Sequence, residues 1–198
     1  MELPGLGVSV GTIWCAGRNY AEHAKELGNP VPAEPVIFLK PASALLSDGG
    51  MLILPADSDR VDHEVELVVG LGPAKSLRMA VGVDFTARDL QEKAKKAGLP
   101  WTSAKGRRGF AAVGPFVEFS MPARFILRVN GVIRQRGSTR DMLWGVDRLL
   151  PFLEGTYGLR EGDLLYTGTP AGVGPVAAGD VLEADLEGTE SRLRLRVG

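Results

Sequence analysis

The apolar residues of this chain come in short bursts separated by turn residues. Val36–Lys40, Val61–Val69, Phe116–Phe119, Phe125–Val129, Asp163–Thr167, Val181–Leu186 and Arg192–Val197 each read as a strand. Asn130-Gly131, set between FILRV and VIRQR, reads as a tight hairpin turn, because both of its central positions need positive φ. Helical periodicity is confined to a few stretches. Thr86–Ala97 is the clearest: Thr86 is placed to N-cap it, Asp89 takes the capping-box position, lysines fill the last turn, and Gly98 and Pro100 stop it. A shorter helix is expected over Tyr20–Leu27 with Gly28 as its C-cap. Another is expected over Asp141–Phe152, with Leu143, Val146, Leu149 and Leu150 on one side. Strands predominate and do not alternate with helices, so the expected class is α+β, dominated by β-structure, in a single domain over residues 1–198.

Composition narrows the function classes. The 198 residues suffice for one domain with a real core. A formal net charge of -1 supplies no large field for nucleic acid or an anionic membrane. The single cysteine, Cys15, excludes an internal disulfide and a cysteine-based metal site, and it fits a reducing compartment. The start of the chain lacks the basic and apolar regions of a signal peptide, and no apolar run approaches the roughly 20 residues of a membrane span. A cytoplasmic protein with a small-molecule ligand is the expectation.

Four segments can carry chemistry. In VDHEVELVV, strand alternation puts Asp62, Glu64, Glu66 and Val68 on one face and Val61, His63, Val65, Leu67 and Val69 on the other. Neighbouring like charges on one face repel, so that face is either solvated or holds a cation. His63, on the apolar face, reads as a core histidine rather than a metal ligand. Asp84 ends the run AVGV just before a helix, where it adds a third carboxylate; oxygen ligands without Cys or His suit Mg²⁺, Mn²⁺ or Ca²⁺ rather than zinc. On the helix, Arg88 and Gln91 share a face that can look back at these acids, while the alternative for Arg88 is a surface ion pair with Glu92. In NYAEHAKELG, His23 and Glu26 lie three residues apart on one helical turn, so the carboxylate can orient the imidazole as a general base; a solvated face is the alternative. TGTPAGVGP, Thr167 to Pro175, is either a clamp for a carboxylate or enolate or a structural loop; without a following Lys-Ser/Thr it is not a P-loop.

In this order, GRNYAEHAKELG, PVIFLKPASAL, HEVELVV, VDFTARDLQ, GLPWTSAKG, NGVIRQRGST and GDLLYTGTPAGVGP resemble the fumarylacetoacetate hydrolase family, from about Trp14 onward. The branch it most resembles holds acylpyruvate hydrolases, oxaloacetate decarboxylases and 2-hydroxyhepta-2,4-diene-1,7-dioate isomerases. The resemblance implies a rolled, mixed β-structure with few helices, usually in a homodimer. It implies Glu64, Glu66 and Asp84 as ligands of Mg²⁺ or Mn²⁺. Lys105 falls on a substrate-orienting lysine, Arg88 and Gln91 on pocket residues, and His23 and Glu26 on the dyad of a lid. Gly168 and Thr169 fall in the loop that holds the substrate carboxylate. Two departures stand out. The segment between Glu66 and Asp84 is shorter than in the family, so the sheet must close differently there, and Lys105 is followed by Gly106-Arg107-Arg108 instead of Ser-Phe-Asp. The two arginines either edge the pocket, where they would favour a dianion, or face solvent.

The expected activity is metal-stabilised enolate chemistry on 2-oxo or enol dicarboxylates, of the isomerase or decarboxylase type found in the breakdown of aromatic compounds. The alternatives are an acylpyruvate hydrolase, an oxaloacetate decarboxylase or tautomerase, and, from another class, a non-catalytic metal- or carboxylate-binding module.

Overall fold

The computed structural model of the chain describes residues 2–22 and 33–198. Its strands, in chain order, are β1 (Ile13–Gly17), β2 (Val36–Lys40), β3 (Leu45–Ser47), β4 (Met51–Leu52), β5 (Val61–His63), β6 (Val65–Leu71), β7 (Leu77–Asp84), β8 (Thr86–Ala87), β9 (Ala111–Val113), β10 (Val117–Glu118), β11 (Arg124–Val129), β12 (Val132–Ser138), β13 (Leu164–Tyr166), β14 (Gly174–Pro175), β15 (Val181–Leu186) and β16 (Arg192–Val197). The helices among the described residues are α1 (Arg88–Ala97), α2 (Thr102–Lys105) and α3 (Val146–Tyr157). A mixed sheet runs β2-β1-β13-β6-β7-β9-β3, with β10 also on β7; a second runs β12-β11-β15-β16-β4, and a small third joins β14, β5 and β8. The expected β-dominated α+β class is what the chain forms.

Strand β6 lies at the centre of the large sheet and is buried along its whole length. Its Val65, Leu67 and Val69 enter the larger core, with Phe125, Leu127 and Leu195 of the second sheet. Val68 faces the other way, into a smaller cluster with Ile13, Cys15, Val113 and Tyr166. A strand with both faces covered needs apolar residues on both, so Glu66, on the Val68 side, is a carboxylate placed in an interior.

The short segment before Asp84 closes the sheet as a hairpin. Strands β6 and β7 pair antiparallel from Val65↔Val83 to Leu71↔Leu77, and Gly72–Ser76 makes the turn. The Asn130-Gly131 hairpin forms as expected: both residues have positive φ, and Val129 pairs with Val132.

Three expectations are corrected. The segment Val61–Val69 is two strands broken at Glu64, because β5 pairs with β8 and β14 whereas β6 pairs with β7 and β13. The helix expected over Thr86–Ala97 starts at Arg88, not Thr86. Thr86 is held in β8 opposite Asp62, and its hydroxyl donates to Glu64 (3.1 Å), so it caps nothing. The helix expected over Asp141–Phe152 instead spans Val146–Tyr157. Asn19 takes the amides of Leu143 (2.8 Å) and Trp144 (2.7 Å) away from helical pairing, and the helix begins beyond them at Gly145. Most of the expected Tyr20–Leu27 helix, with His23 and Glu26, lies outside the described residues.

Candidate metal centre and its cleft

The β6–β7 hairpin brings the acidic residues together. Glu64 lies opposite Asp84, whose amide donates to the Glu64 carbonyl (2.8 Å), and Glu66 lies opposite Gly82. Glu64, Glu66 and Asp84 are all buried, and one oxygen from each falls within 4.8 Å of the other two. A side chain at Gly82 would crowd this floor, since a Cβ there would sit 2.8 Å from the Ala112 carbonyl oxygen. Burial pushes the Glu66 carboxyl well above the usual carboxylate range, and the charges of Asp84 and Glu64 push it the same way.

Cations answer the acids. Lys105 Nζ donates to Glu64 Oε2 (2.8 Å) and Asp84 Oδ2 (2.6 Å). Burial alone would lower its pKa, but the charges of Asp84 and Glu64 override this and raise it, so Lys105 is an ammonium. Arg88 donates to Asp62 (2.8 Å), Glu64 (2.5 Å) and Gln91 Oε1 (2.7 Å); the surface pairing with Glu92 is not formed. Sequence reasoning missed Lys40. It is fully buried at the end of β2, with Nζ 2.5 Å from Asp84 Oδ1. Its protons are aligned on the carbonyls of Phe85 (3.0 Å) and Phe110 (2.6 Å). Asp84 Oδ1 therefore has an ion-pair neighbour yet accepts no well-aligned hydrogen bond. The available signal was a lysine closing an apolar strand immediately before a proline.

Mutual repulsion among buried acids and an all-oxygen donor set fit a hard divalent cation. The surrounding hydrogen bonds fix the donors. Gly168 N–H donates to Glu66 Oε2 (2.7 Å). Gly168 has φ +98°, and a Cβ there would sit 2.7 Å from that of Asn19, so only glycine fits. Thr169 Oγ1 donates to the Val65 carbonyl (2.8 Å) and accepts from Gln135 Nε2 (2.8 Å). Gln135 Oε1 accepts from Val65 N–H (2.9 Å) and His63 Nδ1–H (3.0 Å). His63 is thus buried and paired away from the acids, as its place on the apolar face suggested. Gln135 was also missed. It is buried on a hairpin strand whose neighbours Arg134 and Arg136 are exposed, a polar residue at an inward position. Asn19 ties the ends together, donating to the carbonyls of Thr167 (2.8 Å) and Trp144 (2.9 Å).

The acids floor a cleft also lined by Arg18, Phe38, Arg88, Gln91, Lys105 and Thr169. Arg88 and Gln91 share the helix face that looks back at the acids, and the hydrogen bond from Arg88 to Gln91 Oε1 leaves the Gln91 Nε2 protons for a ligand. The loop from Thr167 spends the Gly168 amide and the Thr169 hydroxyl on Glu66 and Val65, so it first positions the acids. Arg107 and Arg108 do not line this cleft: Arg107 pairs with Asp57 (2.6 and 2.9 Å) at a separate surface depression.

A buried centre of three carboxylates, set on a β-hairpin and walled by a helix carrying Arg and Gln, is a candidate oxygen-ligated metal site. Residues 12–197 match the family model for the fumarylacetoacetate (FAA) hydrolase C-terminal domain, and the chain belongs to the fumarylacetoacetate hydrolase family, whose members are enzymes. A curated relative, oxaloacetate tautomerase FAHD1, mitochondrial, from Arabidopsis thaliana, is 44% identical over 192 residues, covering 89% of this chain and 86% of that protein. Fumarylpyruvate hydrolase from Pseudomonas aeruginosa, crystallised with Mn²⁺ and pyruvate, is 32% identical with a TM-score of 0.88, covering 100% of this chain and 98% of that one. 2-Hydroxyhepta-2,4-diene-1,7-dioate isomerase from Mycobacterium marinum is 32% identical with a TM-score of 0.82, covering 98% and 76%. Among the described residues no helix is long and apolar enough to cross a membrane.

Proposed function

We propose that this protein catalyses keto–enol isomerisation of a 2-oxo dicarboxylate. The convergence of Glu64, Glu66 and Asp84 beside an ammonium, Lys105, carries this reading. The three acids would hold Mg²⁺ or Mn²⁺, which when bound supplies a Lewis acid for a 2-oxo oxygen. Lys105 presents its protons where enolate charge develops, so it stabilises the transition state more than the ketone. Gln91, oriented by Arg88, offers its amide protons to the substrate carboxylate. The loop through Gly168 and Thr169 fixes Glu66 and closes the floor. Keto–enol isomerisation needs that charge stabilisation together with a proton moved between C3 and the 2-oxo oxygen, and no bond to water.

Cleavage of an acylpyruvate by water is the second reading, favoured by the likeness to a fumarylpyruvate hydrolase. It assigns His23, oriented by Glu26, the activation of water. One measurement separates the two. With Mg²⁺ or Mn²⁺ added, a set of 2-oxo and enol dicarboxylates is followed by NMR for wild type, Lys105→Ala and His23→Ala. Isomerisation predicts severe loss in Lys105→Ala and modest loss in His23→Ala. Hydrolysis predicts that His23→Ala abolishes turnover. Full activity of both variants on every substrate would overturn the assigned roles. A homodimer is proposed as the working assembly, and a monomer by light scattering at micromolar concentration would refute it.

A further inference from the structure

The cleft has a second charged end. Helix α1 lays Arg88, Gln91 and Lys95 along it at spacings of three and four residues, one helical face. Arg88 and Gln91 are buried against the acids, whereas Lys95 is exposed. The helical rise puts Lys95 about 10 Å further along the axis than Arg88. An aromatic wall joins the two ends. Lys105 Nζ lies 5.0 Å from the Phe38 ring, Phe38 packs on Trp101 at 5.6 Å, and Lys95 Nζ lies 5.4 Å from the Trp101 ring.

Arg18 joins Lys95 at this outer end, where it too lines the cleft. Its backbone has φ +56°, the left-handed region that glycine occupies without strain. That geometry turns Asn19 inward to its hydrogen bonds, and glycine would serve it better. An arginine there keeps a strained backbone and gains a guanidinium in the cleft. Neither Arg18 nor Lys95 forms an ion pair with a carboxylate among the described residues. Burial lowers the Lys95 pKa, and the charge of Arg18 lowers it further, so the two cations are close enough to repel. Two cations with no carboxylate partner among the described residues, beside a wall of two tilted aromatic rings and a helix turn or more from the acids, form a site for an anion.

We propose that Arg18 and Lys95 form a specificity subsite that binds the distal carboxylate of a substrate whose 2-oxo acid end lies at Glu64, Glu66 and Asp84. The inference rests on the enol reading above and adds a length requirement. A dicarboxylate with several carbons between its two carboxylates reaches this subsite, whereas oxaloacetate is too short to do so.

The test is calorimetric binding to the Mg²⁺- or Mn²⁺-loaded protein of 2-oxoadipate and of 2-oxohexanoate, which differ only in the distal carboxylate. Wild type is expected to prefer 2-oxoadipate by about tenfold or more. Arg18→Gln and Lys95→Gln are each expected to cut that preference several-fold, and the double variant to remove it, while Arg18→Lys retains most of it. Lys96→Gln, which removes a neighbouring lysine outside the cleft, should leave it in place. Arg18→Gly relieves the backbone strain, so it should lose the preference without losing thermal stability. An unchanged preference in the double variant, equal binding of the two acids by wild type, or an equal loss in Lys96→Gln would each overturn the subsite. Failure of wild type to bind either acid would overturn the enol reading together with it.

Discussion

Lys40 Nζ lies 2.5 Å from Asp84 Oδ1, and both side chains are almost wholly buried, at 0% and 1% exposure. The pair links the end of β2 to the end of β7 and holds one proposed metal ligand from behind. Burial lowers the Lys40 pKa, and the charge of Asp84 opposes that shift. The lysine also satisfies the carbonyls of Phe85 and Phe110. Replacing it by methionine leaves Asp84 Oδ1 and the Phe85 carbonyl unanswered in the interior, while Asp84 Oδ2 keeps Lys105 and the Phe110 carbonyl keeps the Phe85 amide. Breaking a buried pair in this way costs about 3–5 kcal/mol, a fall of roughly 10 °C in Tm for a chain of this size. Thermal unfolding of Lys40→Met measures it, and a change of less than about 2 °C would show that the pair contributes little.

Metal affinity should depend on all three acids. Glu66→Gln and Asp84→Asn each remove one donor while keeping the side-chain volume. Loss of an outer hydrogen-bond partner commonly costs about 10–100-fold in affinity, and loss of a donor should cost more. Titration with Mn²⁺ reads this directly, and wild-type binding in both variants would refute the ligand set.

Gly168 should tolerate no side chain. Alanine there combines a φ of +98° with a Cβ 2.7 Å from that of Asn19 and 3.1 Å from the Ala16 carbonyl oxygen. The backbone must shift, and the shift moves the amide that donates to Glu66. Gly168→Ala is expected to lose about 1–3 kcal/mol of stability. It should also weaken Mn²⁺ binding, which distinguishes a displaced loop from simple strain elsewhere.

His63 gives stability a dependence on pH. Burial lowers its pKa from 6.5, and the hydrogen bond to Gln135 opposes this only in part. The unfolded chain therefore takes up a proton at a pH where the folded chain does not. Stability is full above about pH 6.5, falls as the pH drops below that value, and levels off beneath the lowered folded pKa. Urea unfolding of wild type and His63→Gln across pH 5–7.5 measures the difference in slope. Equal slopes would show that His63 titrates alike in both states.

The strand set was legible because its cause is local. Alternation and turn residues mark Val36–Lys40, Val181–Leu186 and Arg192–Val197, and the structure gives strands of those bounds. The Asn130-Gly131 turn was legible because backbone sterics alone demand it. The three acids could be nominated because carboxylates among apolar strand residues are costly without a partner, and the family resemblance placed Lys105, Arg88 and Gln91 beside them. The break at Glu64 was not visible, because it depends on which distant strand each half pairs with. The displacement of α3 to Val146 likewise depends on Asn19, more than a hundred residues earlier in the chain, claiming the amides of Leu143 and Trp144.

By itself, the sequence determined the class, the hairpin, and the types of residue that crowd one face of Val61–Val69, since these follow from periodicity, backbone sterics and charge. Only the tertiary structure decided which partners answer those charges. Lys40 reaches Asp84 across 44 residues of chain, Gln135 reaches His63 across 72, and Gly168 reaches Glu66 across 102. Such pairings leave no period in the sequence: they form because buried charges and buried amides must find partners, and the sheet order determines which ones lie within reach.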